Sequence, residues 1–353
     1  LALAVLDPGP GLRRAADAAR AALPLFEAAG DDLGTARACL RLAQERQLAG
    51  RHGEAEQLLR RALDGAVRAD AEPERAAALG AVGVSLWTGP VPVPEAVERC
   101  RTLLARHGAG RRTVRLTLNC PLAVLFALQE RWAQARACLA EAERLARELA
   151  FAEAEVFLPV FRAAVHSAAD RPGRAVEELR QAERACRGLG AAGLRGPIAR
   201  DLARALLDCG DTAAAEDVLT GHQDGLPPAD AADLHGTLAR VAALRGRPDE
   251  CAEQLRRTRT AAGETDSPVV RATAALDEAR AALALGDPAR ASAAADAAAD
   301  LYAAKGHVAG RRRAAAVAAV AARAERAAAA RTTAARTTAA GTAAAGTTQE
   351  DQR

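Results

Sequence analysis

The residues able to do chemistry are few and scattered. Lys305 is the only lysine among 353 residues, and Gly306-His307 follow it. No glycine loop precedes it, so it cannot serve the phosphate-binding G-x-x-x-x-G-K-[ST] turn. No second lysine exists for a Schiff base or a kinase-type phosphate contact. There is no H-E-x-x-H and no C-x-x-C, and the six histidines are dispersed. Cys100 and His107 are too few and too far apart along one helix to suggest a metal centre. Gly83-Val-Ser85-Leu-Trp87 begins like a nucleophile elbow, but Trp87 stands where the closing glycine belongs, and the stretch reads as helix. No catalytic residue, cofactor-binding residue or metal ligand is therefore expected. The residues predicted to meet a partner are Arg115 and Asn119. They are polar and four apart, on a helix whose Leu116, Leu118 and Leu122 are apolar.

Those two residues belong to a repeat. Leu48 to Leu63 reads as the end of one helix, a tight turn at Gly50, and a second helix beginning near Gly53. The same design returns along the chain. Aligning the small residue of each second helix gives Ala55, Ala96, Ala135, Ala175, Ala215, Cys251 and Ala291, at intervals of 41, 39, 40, 40, 36 and 40 residues. Leu59, Leu139, Leu179, Leu219 and Leu255 stand four residues on, on the same helix face. A fixed period of this size marks stacked helical hairpins. The expected fold is all-α, a right-handed superhelical solenoid of tetratricopeptide-like hairpins with a period of about 40 residues. Pro94, Pro172, Pro248 and Pro288 sit where helices begin. Pro24, Pro121, Pro159 and Pro197 fall within or near the start of helical runs and are read as bends that follow the superhelix.

Half of the residues are apolar, much of that alanine, and only 2% are aromatic. Burial contributes about 25 cal/mol per Å² of apolar surface, so an alanine-lined interface is thin and stability must accumulate over many repeats. Basic and acidic residues number 48 and 45, which excludes a polyelectrolyte. Seven unpaired-looking cysteines argue for reduced thiols, and no apolar run is long enough to span a membrane. A cytoplasmic location is expected. The chain holds no methionine, position 1 included, and is expected to be a piece of a longer protein.

Three segments are expected: a solenoid over 1–313, an alanine-rich terminal helix over 314–330, and a disordered low-complexity tail over 331–353. Leu1 to Leu6 are read as the tail of a preceding helix. Arg311 to Arg313, Arg323, Arg326, Arg331 and Arg336 make the end basic, without aromatic residues to stack on bases. Nucleic acid is not expected as a partner.

Phe26-Glu-Ala-Ala-Gly-Asp-Asp-Leu-Gly34, Leu86-Trp-Thr-Gly-Pro-Val-Pro-Val-Pro-Glu-Ala96 with Cys100, and Leu301-Tyr-Ala-Ala-Lys-Gly-His307 resemble a known group. They are similar to the C-terminal tetratricopeptide-like region of actinobacterial proteins that join an adenylate/guanylate cyclase to an AAA-type ATPase. Similar arrays occur in LuxR-type ATPase regulators of transcription, which end in a helix-turn-helix that this chain lacks. The resemblance covers about residues 12 to 313 and implies a non-catalytic region. Its partners would be a protein or small-molecule effector in the concave groove, and the upstream ATPase or cyclase domains of the same chain.

Overall fold

The computed structural model describes residues 10–190, 192–220 and 226–350, and the segment of Leu1 to Leu6 lies outside them. Among the described residues there are sixteen α-helices, one short 3-10 turn and no strand. The first is α1 (Pro10–Ala28). Seven hairpins follow: α2/α3 (Asp32–Leu48, His52–Arg68), α4/α5 (Glu72–Thr88, Val93–His107), α6/α7 (Arg112–Leu128, Trp132–Glu148), α8/α9 (Ala154–Ala168, Pro172–Gly188), α10/α11 (Arg195–Asp208, Thr212–Leu219), α12/α13 (Pro228–Leu244, Pro248–Gly263) and α14/α15 (Pro268–Ala284, Pro288–Lys305). The last helix is α16 (Val308–Glu350). Consecutive helices pack side by side, so the chain is an α-solenoid of helical hairpins.

The repeat positions behave as their spacing demands. Ala55, Ala96, Ala135, Ala175, Ala215, Cys251 and Ala291 are all buried, and so are Leu59, Leu139, Leu179, Leu219 and Leu255. A side chain no larger than alanine or cysteine lets two helices approach, while the leucine one turn later fills the layer. The interval of 36 residues falls where α11 is cut to eight residues. Pro24, Pro121 and Pro159 lie inside helices, whereas Pro197 sits in the first turn of α10, where its missing N–H costs nothing. Pro121 has a packing partner: a Cβ on Gly83 would come within 2.3 Å of its Cγ. Gly83 thus belongs to the α4–α6 contact and not to a nucleophile turn.

Most hairpins turn in three residues, with the middle one left-handed. Glycine supplies that conformation at Gly50, Gly210, Gly246 and Gly286, but Glu130 and Asp170 adopt it at φ of 60° and 53°. A side chain there costs on the order of 1 kcal/mol. The second hairpin differs. Its link, Gly89-Pro-Val-Pro92, is one residue longer and extended, with ψ of −171° at Gly89 and 143° at Pro92. Consequently α4 and α5 splay apart and pack together less than the two helices of any other hairpin.

The array also meets itself. The first helices α12, α14 and α16 touch α2, α4 and α6, five hairpins earlier. The first helices therefore touch across the array at these places. α16 runs as one helix through 314–330 and on to Glu350, through the tract expected to be disordered. Alanine, the strongest helix former, supports that continuation, and no break marks 314 or 331. Residues 351–353 lie outside the described part. Among the described residues no helix is long and apolar enough to cross a membrane.

Candidate functional site

The splayed hairpin opens a cavity of about 410 Å³ between α3, α4 and α5. Leu59 and Leu63 on α3, Val82 and Leu86 on α4, Val91 in the link and Leu103 on α5 give it an apolar lining. Its charged residues sit at the rim and are all paired, Glu98 with Arg101 outside the cavity at 3.2 Å and the others among themselves. Arg99 reaches Glu95 at 2.7 Å and Glu56 at 3.1 Å, and Arg60 reaches Glu56 at 3.1 Å. Exposed pairs of this kind add little stability, but they leave no uncompensated charge facing the cavity.

Polar groups stand at one end of the cavity. The hydroxyl of Thr88 donates to the Val84 carbonyl at 2.8 Å, which leaves its oxygen to accept from Nε2–H of His52 at 3.1 Å. Nδ1 of His52 then faces Ser85 Oγ at 3.4 Å. Gln47 donates its amide to Ser85 Oγ at 2.8 Å and to the Ala81 carbonyl at 2.7 Å. Burial pushes the His52 imidazole down to about 4, so the ring is neutral near pH 7. Asp266 lies beside this group, yet its carboxylate accepts the backbone N–H of His52 at 2.9 Å and of Gly53 at 2.8 Å. Serine, histidine and aspartate thus come together without the order that activates a nucleophile. The carboxylate caps α3, and the imidazole is too weak a base.

Lys305 does not line the cavity but is bonded to two residues of its wall, Leu86 and Val91. It is 1% exposed, and Nζ donates to the carbonyls of Leu86 at 2.9 Å, Gly89 at 2.6 Å and Val91 at 2.6 Å. The link gives these carbonyls few local donors because Pro90, Pro92 and Pro94 carry no N–H. Burial pushes the ammonium down to about 8, while three carbonyl oxygens favour its charged form. Ser267 Oγ donates to the Thr88 carbonyl at 2.6 Å. The C-terminal end of α4 is therefore capped by residues more than 170 positions away in sequence.

A second cavity, of about 470 Å³, lies beside Asp208, Arg240 and Arg280. Its arginines are already engaged: Arg240 meets Asp208 at 2.6 Å and Arg280 meets the same carboxylate at 3.1 Å. Behind them Arg204 binds both oxygens of Asp277 at 2.8 Å and also pairs with Asp233. The network ties α10, α12 and α14 together and leaves no free cation facing this cavity for an anion.

Arg115 and Asn119 do not meet at a site. Arg115 pairs with Glu141 on α7, and the buried Asn119 donates to the Arg115 carbonyl at 2.7 Å within its own helix. Neither lines the cavity in the splayed hairpin. Cys100 is buried, and its thiol is pushed up to about 12 by that burial. Among the described residues no three His, Cys, Asp or Glu side chains are grouped so as to hold a metal ion. Lys305 and Asp266 were missed as functional residues. The available signal was a lone lysine in an arginine-rich chain and the proline-rich link that lacks donors. Comparison with protein-family models and with curated proteins found no match for the chain.

Proposed function

We propose that this chain is a non-catalytic, tetratricopeptide-like recognition and regulatory scaffold. It works in the cytoplasm as the C-terminal part of a larger nucleotide-dependent signalling protein of the cyclase or ATPase kind. Its effector is an uncharged, largely apolar small molecule seated between α3, α4 and α5. The observation that carries this reading is the splayed hairpin, where an apolar cavity of about 410 Å³ stays open while each charge at its rim is paired. Pockets of this size, apolar with a few polar groups at one end, suit small ligands. The neutral His52 and the hydroxyl of Ser85, both lining the cavity, can orient a polar group without requiring charge.

Nile red, a neutral apolar dye, tests the site. The protein should bind it saturably, and Val82→Phe, which fills the cavity from α4, should abolish that binding while leaving the helical circular dichroism intact. Equal binding by the filled variant would remove this cavity as the site.

A further inference from the structure

The carbonyls that Lys305 engages belong to the wall of the cavity. Leu86 and Val91 line it, and their backbone oxygens, with that of Gly89, are held from the end of α15. The same junction carries further bonds between the segment from Asp266 to α16 and the first four hairpins. Asp266 caps the start of α3, and its own N–H donates to the Gly50 carbonyl at 2.9 Å. Arg312 on α16 reaches Glu130 at 2.7 Å and also Asp170. Apart from these contacts, the Ser267 bond to Thr88 and the pairs that join α10 to α14, hairpins pack mainly on their sequence neighbours, so the closure can open while the individual hairpins persist.

Resting on the cavity as the effector site, we infer that Lys305 couples its occupancy to the closure of the array on itself. With the array closed, Nζ fixes the carbonyls of the link and gives the cavity its wall. With the array open, Leu86, Gly89 and Val91 lose their donor and the link is released. An effector that fits the fixed wall binds the closed form more tightly and shifts the population toward it. The upstream part of the signalling protein would then sense effector as a change in the relative position of the array's two halves.

Hydrogen exchange at the amides of His52, Gly53 and Asp266 reports closure directly, because all three are donors across the junction. Lys305→Met retains a long apolar stem but donates nothing. We expect exchange at these three amides to rise about tenfold or more, since charge-assisted bonds are lost with the junction. Amides of α8 and α9 should remain as protected as before, which distinguishes opening from misfolding. Nile red affinity should fall in the same variant. In the native protein saturating dye should slow exchange at Asp266. If Lys305→Met does not fold, Ser267→Ala, which deletes one bond, should show the same pattern to a smaller degree. Unchanged exchange at the three amides in Lys305→Met would overturn the clasp. Dye that binds without slowing Asp266, or that does not bind at all, would overturn the coupling. Loss of binding in Val82→Phe together with no effect of Lys305→Met would leave the cavity standing and defeat this inference alone.

Discussion

Replacing Asp277 by alanine should be the most damaging single change away from the cavity. Asp277 is 1% exposed on α14 and accepts two bonds of 2.8 Å from Arg204, while Nη1 of Arg240 lies 3.6 Å away with no hydrogen-bond partner. Removing one side of a buried pair costs about 3–5 kcal/mol, because the other charge is left without compensation. Arg204 retains Asp233 and Arg240 retains Asp208, so the low end, about 3 kcal/mol, is expected. The exposed pair of Arg256 with Glu253, at a similar 2.7 Å, is the control, and its loss should be felt far less because solvent screens it. Gly236 on α12 sharpens the test. A Cβ there would lie 2.7 Å from Oδ2 of Asp277, so Gly236→Ala should cost about 1–3 kcal/mol in the native protein. In the Asp277→Ala background the obstruction is gone. The same change should then be neutral or stabilise by up to about 1 kcal/mol, the helix-interior preference for alanine over glycine. Urea denaturation of the native protein, both single variants, the double variant and Glu253→Ala, with amide exchange in α12 and α14 as a local readout, measures both effects. Additive costs, or an Asp277→Ala penalty no larger than that of Glu253→Ala, would refute the account of a charge network in the core.

Acidification should loosen the junction. Burial holds His52 at about 4 and His307 at about 3, against 6.5 for a free imidazole. Both are neutral in the folded protein, so the unfolded chain binds more protons below 6.5. Stability is then complete above about 6.5 and declines as pH falls through that window toward 4, by up to about 3 kcal/mol for His52. Thermal midpoints that do not move between about pH 7 and 4.5 would contradict this. Gly83→Ala should destabilise by about 1–3 kcal/mol, because its Cβ would strike Pro121 at 2.3 Å, and calorimetric melting checks it. Leu59→Ala, at a fully buried position shared by α3 and the cavity, should cost about 2–5 kcal/mol and enlarge the site for dye. The isolated chain should show no heat of binding with ATP in titration calorimetry, since it has no glycine-rich phosphate loop.

The hairpins were legible because their signals are local. A small residue, a leucine four positions later, a turn residue and a proline at a helix start all lie within one period, and each is buried or placed as that pattern requires. Closure was not legible, because its partners lie about 180 to 220 positions apart and are of types that ordinarily face water. Ser267 illustrates the difficulty. It caps α14 locally, accepting from the N–H of Val270 at 3.2 Å, and that role accounts for the residue without hinting at its bond to Thr88. The pairing of Arg115 was not legible for a related reason. Helical spacing shows which face a residue occupies but not that the next helix places Glu141 opposite it.

The turns carry a trace of the closure once it is known. At Gly50 the left-handed turn abuts Thr265, whose Cγ2 would lie 2.6 Å from an added Cβ, so glycine is required there twice over. At positions 130 and 170 the same left-handed conformation is held by Glu and Asp, at a cost of about 1 kcal/mol each that glycine would avoid. Both of these carboxylates are met by Arg312 as α16 enters the junction. A half-exposed pair contributes about 0–1 kcal/mol, which does no more than offset the backbone cost. The turns keep that conformation whether the array is open or closed, so the Arg312 pairs add only their own small contribution to closure. The remaining side-chain bonds across the junction include the part-buried cap at Asp266 and the buried Lys305, the residues through which the proposed opening and closing would be governed.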